Sequence, residues 1–303
     1  MAVSNLLFID TNIWLDFYRH RNNTGLRLLE HTEAIKDKLI VTYQLENEFK
    51  ANRQAAILEG HNALQAFQGV SRPGIFSEAK ATEMISKHVK EGNNRIQNLR
   101  SRMVRALKNP TAHDPVYKVC QRVFHKGDAL TLNPDNKLRH TIRRRAFERF
   151  LQGWPPRKKN DTSIGDAFNW EWMVYCAKER KTGLVIVTRD ADYGVTFDNQ
   201  SYINDHLRHE FSERVSQKRD LLLYASLSEA LKLFSVDVSD QEQAAEKEVV
   251  KNIFAQREAE GFSLSPGVRA LYGGLGLSSR MSLASLLESA RTPRLDDDPE
   301  GTK

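Results

Sequence analysis

Three short runs of consecutive apolar residues each lead straight into acids, and this pattern restricts the fold more than any other feature of the chain. "LLFIDTN" stops at Asp10, "KLIVTYQLENEF" leads to Glu46 and Glu48, and "GLVIVTRDADYG" leads to Asp190 and Asp192. Short apolar runs without alternation fit strands buried on both faces, as in a parallel sheet covered by helices. The spacing predicts strands at 6–10, 38–43, within 183–194 and at 221–224, with a weaker one near 201–203. Helical patterns follow at 12–20, 24–37, 44–68, about 163–179 and 240–260. Strands alternating with helices imply an α/β fold of three layers, a mostly parallel sheet with helices on both faces. Taken alone, Asp10-Thr11-Asn12 is an ordinary turn and helix-cap sequence.

Residues 70–160 break the alternation. Two long helical stretches lie there and no strand pattern is visible, so the region is expected to be a helical insertion within one α/β domain spanning 1–236. A helical extension, 237–303, ends in a polar tail. A "GGLG" at 273–276 lacks the preceding strand and the following Lys-Ser/Thr of a phosphate loop.

Charge enters the argument here. The net charge is +6, yet residues 87–160 hold 19 Lys/Arg against 5 Asp/Glu. The remainder is therefore net acidic. Such asymmetry points to a polyanionic partner, nucleic acid before others. Arg143, Arg144 and Arg145 cannot share one helix face. Arg143 and Arg144, with Lys158 and Lys159 beside the helix that follows, are the candidates for phosphate contact; Arg189, just after an apolar run, is another. Trp170 and Trp172 suit the core better than a base-stacking role. His206 and His209 stand three apart but have no nearby Cys to complete a zinc site. Cys120 and Cys176, distant in sequence, are expected to be reduced. No apolar run spans a bilayer and no leader pattern opens the chain, so a cytoplasmic protein is expected.

In an open parallel sheet, ligands bind beyond the carboxyl ends of the strands. Asp10, Glu46 or Glu48, and Asp190 or Asp192 fall at those ends, and Asp166 opens the helix before the "LVIVT" run. Carboxylates brought together repel one another, and a divalent cation relieves that repulsion. An all-oxygen donor set suits Mg²⁺ or Mn²⁺. Thr11 and Asn12 are placed to hydrogen-bond Asp10 and to cap the next helix.

The segments "FIDTNIWLDFYR", "VTYQLENEFKANR", "SIGDAFNWEWM" and "LVIVTRDADYG", in this order, resemble PIN-domain nucleases, and the wording of 153–172 is most similar to a bacterial PIN-like subgroup with a helical insertion. The resemblance covers roughly 1–70 and 153–234. It implies four acids in the active site: Asp10, Glu48 (with Glu46 competing), Asp166, and Asp190 with Asp192 auxiliary. Thr11 and Asn12 match the polar residues beside the first acid. It implies a Mg²⁺- or Mn²⁺-dependent endonuclease, with RNA single strands the favoured substrate and products carrying 5′-phosphate and 3′-hydroxyl ends. A DNA nuclease acting as a toxin or in phage defence, and a silent nucleic-acid-binding or scaffold module, remain open. The C-terminal helices could serve a second copy or a protein partner.

Overall fold

The computed structural model describes residues 5–20, 23–69, 74–76, 80–157, 163–197 and 200–259, with side chains described to 252. Five strands form one parallel sheet in the order β3-β2-β1-β4-β7: β3 (Thr131–Leu132), β2 (Leu39–Thr42), β1 (Asn5–Ile9), β4 (Gly183–Val187) and β7 (Leu221–Tyr224). The strand alternation legible in the sequence reflects burial on both faces: β2 and β4 are buried at every position. Helices cover the two faces, giving the expected three-layer α/β/α arrangement.

Connections on one side of β1 lead through α1 (Thr11–Asp16) and α2 (Thr24–Ala34) to β2, then through α3 (Tyr43–Ala63) and further helices to β3. The chain then crosses over, by α8 (Gly165–Arg180), to β4 on the other side of β1. The strand order therefore reverses between β1 and β4, which opens a crevice beyond their carboxyl ends. β1 and β4 run in full register from Asn5↔Gly183 to Ile9↔Val187, so Asp10 and Thr188 emerge side by side.

Three features differ from the sequence expectation. β3 lies inside 70–160, where no strand is expected; two residues carry too little periodicity to be seen. Residues 201–203 do form a strand, β6 (Gln200–Ile203), but it pairs antiparallel with β5 (Gly194–Phe197), outside the parallel sheet. The first helix ends at Asp16, well short of residue 20.

The helical stretch is of two kinds. α4 (Lys80–Lys108) buries no residue. By contrast, α6 (Pro115–Phe124), entered through the short α5 (Pro110–His113), contributes Val116, Val119, Cys120, Val123 and Phe124 to the core. α7 (Arg139–Gln152) contributes Ile142 and Ala146. A buried arginine ties these helices to α3: Arg53 donates to Asp114 Oδ2 from Nε (2.8 Å) and to the Ala106 carbonyl from Nη2 (2.7 Å). Asp114 also caps α6 by accepting from the Tyr117 N–H at 2.9 Å. Trp170 and Trp172 are core residues, and Cys120 and Cys176 are free, buried thiols.

After β6 come α9 (Asp205–Arg214), β7, α10 (Leu227–Lys232) and α11 (Asp240–Ala259). α11 docks with buried acids. Glu246 accepts from the Leu227 and Ser228 N–H groups at 2.6 and 3.0 Å, covering the start of α10. The Gly-rich 273–276 and the rest of the C-terminal extension after residue 259 lie outside the described residues. Among the described residues no helix is long and apolar enough to cross a membrane.

Candidate functional site

The site is built at the β1/β4 crevice. Asp10 directly follows β1 and is 4% exposed. Its Oδ1 accepts from the Thr11 N–H at 2.7 Å, so it caps α1 as the turn chemistry of Asp-Thr-Asn suggests. Its Oδ2 accepts from the Thr188 hydroxyl at 2.5 Å and from Asn12 Nδ2 at 2.9 Å. Thr188 in turn accepts from the Asp190 N–H at 3.0 Å, fixing the start of the loop after β4. Burial first, then the charge of Asp190 and more weakly that of Glu48, push the Asp10 carboxyl up from 3.8 to about 7, against the pull of these hydrogen bonds. Desolvation and like charge both disfavour the ionised form.

Glu48, one turn into α3, accepts from the Thr11 hydroxyl at 2.9 Å and from Gln44 Nε2 at 2.8 Å. It can approach α8 because residue 165 is glycine; a Cβ there would lie 2.4 Å from Glu48 Oε1. Asp166 follows in the first turn of α8. Tyr193, fully buried, shows how these elements meet. Its hydroxyl donates to the Asp166 carbonyl at 3.3 Å. Burial, with the charges of Asp166, Asp10, Glu48 and Asp190, holds that hydroxyl well above its ordinary value. One side chain thus feels four carboxylates from a stretch that runs from residue 10 to residue 190.

The sequence alternatives separate spatially. Glu46 turns away to Lys50 (2.6 Å) and His125 (2.9 Å), and burial is outweighed there by the Lys50 hydrogen bond and charge and the neighbouring His125, which hold its carboxyl low. Asp190 is the acid whose charge reaches both Asp10 and Tyr193; Asp192 stands two residues on, half-buried. The Arg189 side chain is 9% exposed and ion-paired with the buried Asp16. Arg143 and Arg144 are exposed on α7, Arg144 within 3.8 Å of Glu148. Lys158 and Lys159 lie outside the described residues.

Part of the basic excess is internal. Arg149 pairs with Glu171 at 3.2 Å and with Glu210, and Arg214 bonds Glu171 at 2.7 Å, clamping α7, α8 and α9 together. Sequence reasoning also missed Thr188, Tyr193 and Gly165. The signals were present but faint: a hydroxyl directly after an apolar run, a Tyr directly after an acid, and a Gly immediately before Asp166 at a helix start.

Every candidate donor at the site is a carboxylate oxygen, the chemistry that suits a hard divalent ion. The oxygens of Asp10 and Glu48 rest on hydroxyls and amides. Among the described residues no three His, Cys, Asp or Glu side chains close into a metal cluster.

A doubly wound parallel sheet with acids gathered at its switch point defines a class of α/β proteins that act on ligands beyond the strand ends. A family profile described as a PIN domain matches residues 7–193, and the chain belongs to the PIN domain family. The match spans the helical stretch and the strands from β1 to β4, and ends before β5. PIN domains are generally nucleases that act on nucleic acid and typically use divalent metal ions. Searches among curated proteins and among solved structures returned no match.

Proposed function

We propose that this chain is a metal-dependent endonuclease that hydrolyses phosphodiester bonds in single-stranded RNA in the cytoplasm. In this reading Asp10, Glu48, Asp166 and Asp190 hold Mg²⁺ or Mn²⁺. The observation that carries it is the buried Asp10 carboxyl, crowded by Asp190 and Glu48 and pushed up to about 7 in the crevice where the strand order reverses. A divalent cation relieves that repulsion and desolvation together.

Asp10 and Asp190 take the principal ion; Glu48 and Asp166 take a second or orient its waters. Thr188 and Asn12 hold Asp10 Oδ2 from the protein side, and Thr11 holds Glu48. When bound, the ion lowers the pKa of the attacking water and stabilises charge in an in-line displacement. No side chain then has to act as general base. Arg143, Arg144, Lys158 and Lys159 hold the phosphate backbone, and the products carry 5′-phosphate and 3′-hydroxyl ends. Residues 1–236 form the nuclease unit, and 237–303 an extension that offers a surface to a second copy or another protein.

A second reading, a silent nucleic-acid-binding module, is favoured by the lack of a closed metal cluster among the described residues. One experiment separates the two. Purified full-length chain is incubated with RNA and DNA single strands of one sequence, with Mg²⁺, Mn²⁺ or excess EDTA. Metal-dependent cleavage, faster on RNA, is the expected outcome. Equal or faster cleavage of DNA moves the substrate to DNA, and binding without cleavage under every metal leaves the silent module.

A further inference from the structure

Among the described residues, α7 presents an exposed face that nothing in the fold covers. Arg143, Phe147 and Leu151 recur at intervals of four and so share one side of the helix. Phe147 is 51% exposed and Leu151 67%, and Trp154, just past the helix end, is 44% exposed. Arg144 stands beside Arg143, and Arg157 stacks over Phe150 with its guanidinium 4.6 Å from the ring centroid. The face therefore sets Arg143, Arg144 and Arg157 beside the rings of Phe147, Phe150 and Trp154, with one acid, Glu148, 3.8 Å from Arg144.

Its far end packs against elements that, in turn, contact those carrying the carboxylates. Trp154 packs on His206 with ring centroids 5.4 Å apart. His206 opens α9 just after Asn204, whose N–H donates to the Tyr193 carbonyl at 2.9 Å. Tyr193 touches Asp166. The Arg149–Glu171 pair, five residues into α8 from Asp166, anchors the same end within about 7.5 Å along the helix axis.

We infer that this face of α7 is a stacking track on which unpaired bases of the substrate lie against Phe147 and Trp154 while Arg143, Arg144 and Arg157 meet its phosphates. The inference rests on the proposed nuclease function and deepens it, since it assigns strandedness to a site outside the carboxylates. Base–aromatic stacking combined with a basic track is how single strands are held without sequence preference. A second copy of the chain is the weaker occupant. A two-fold contact through this face would set the arginines of one copy against those of the other.

The test uses the full-length Asp10→Asn chain, so that the probe survives. Three probes are compared: an oligouridylate, an abasic strand of equal phosphate number, and a duplex. Trp14, Trp170 and Trp172 are each no more than 1% exposed, so quenching of intrinsic fluorescence reports on Trp154. The oligouridylate should quench and bind at least tenfold more tightly than the abasic strand. Phe147→Ala with Trp154→Ala should erase that preference, at about tenfold per lost stacked base, with affinity for the abasic strand unchanged. Trp154→Phe, which keeps a ring and the fold, should retain the preference. Equal affinity for oligouridylate and abasic strand, no binding of either, or a dimer on sedimentation that shields Trp154 from acrylamide each overturns the track. Cleavage by the wild-type chain in Mn²⁺ is scored separately. Cleavage without base preference sinks the track alone, and quenching without cleavage sinks the nuclease alone.

Discussion

The crevice at β1 and β4 and the outer face of the α4–α7 helices are both densely charged, and they handle charge in opposite ways. At the crevice, Asp10 is buried and its carboxyl pushed up to about 7 by burial and neighbouring acids. On α4 and α7, basic side chains such as Lys87, Arg102, Arg143 and Arg144 stand in solvent. Exposed charge is well hydrated and costs the fold little; buried like charge destabilises it until a ligand or a proton neutralises it. On the proposed function, the difference assigns each region its partner: a compact cation among the acids, an extended polyanion along the bases. Four predictions press on it, beginning with the largest effect.

Asp10→Asn should abolish cleavage, by on the order of a thousandfold, the upper scale for losing one group that stabilises transition-state charge. Binding to a single strand should remain. A gel assay with Mn²⁺, alongside a metal-free thermal melt at pH 8, checks this. The variant should melt no lower than wild type, because it removes a buried like charge. Normal cutting by Asp10→Asn would falsify the carboxylate mechanism.

Arg149→Ala strikes a basic residue of this region that the fold consumes internally. It leaves Glu171 and Glu210 short of a buried partner, and breaking such a pair destabilises by about 3–5 kcal/mol. Arg214 still holds Glu171, so the loss should fall at the lower end, about 3 kcal/mol in a urea titration. No change in stability would show that α7, α8 and α9 are clamped by packing alone.

The third prediction is the pH dependence of the metal-free chain. The folded pKa of Asp10 is raised, so its contribution to stability is present below the ordinary carboxylate value and fades as pH climbs to about 7. Stability should fall across pH 4 to 7 by on the order of a few kcal/mol, at about 1.4 kcal/mol for each pH unit. Asp10→Asn should lose that component of the slope, and Mn²⁺ should restore stability above pH 7. A wild-type curve that parallels the variant's through this window would mean that Asp10 is ionised throughout.

The smallest effect concerns the exposed bases. Reversing Arg143, Arg144, Lys158 and Lys159 together removes up to four phosphate contacts. Each contributes about 0.7 to the slope of log affinity against log salt for a single strand, so the slope should fall by up to roughly 3. A salt series with the Asp10→Asn chain measures it. An unchanged slope would make this face a solvated surface and break the comparison from the basic side.

Much of the fold was legible because burial on both faces leaves a signature in one dimension. β1, β2, β4 and β7 appear as unbroken apolar runs within a residue or two of their bounds. Asp10 and the acid loops could be listed because parallel strands all deliver their carboxyl ends to one edge. β3 stayed hidden because two residues cannot show a period, and the β5–β6 pairing because a strand's direction is set by its partner. Which charges face inward also lay beyond local pattern. Arg143 and Arg149 sit six residues apart on one helix. Only the approach of α8 and α9, with Glu171 and Glu210, makes the second an internal ion pair while the first stays in solvent. Likewise Glu46 and Glu48 are equivalent on paper, and the packing of α6 takes Glu46 with His125 while Gly165 clears the space that Glu48 fills. Periodicity depends on a residue's neighbours along the chain, and so the sequence by itself determined the sheet, its helices and the edge where the acids gather. Which of those charges pair inside the fold and which stay in solvent depends on contacts between residues from different elements, such as Glu46 with His125 and Arg149 with Glu210, and only the tertiary structure sets them.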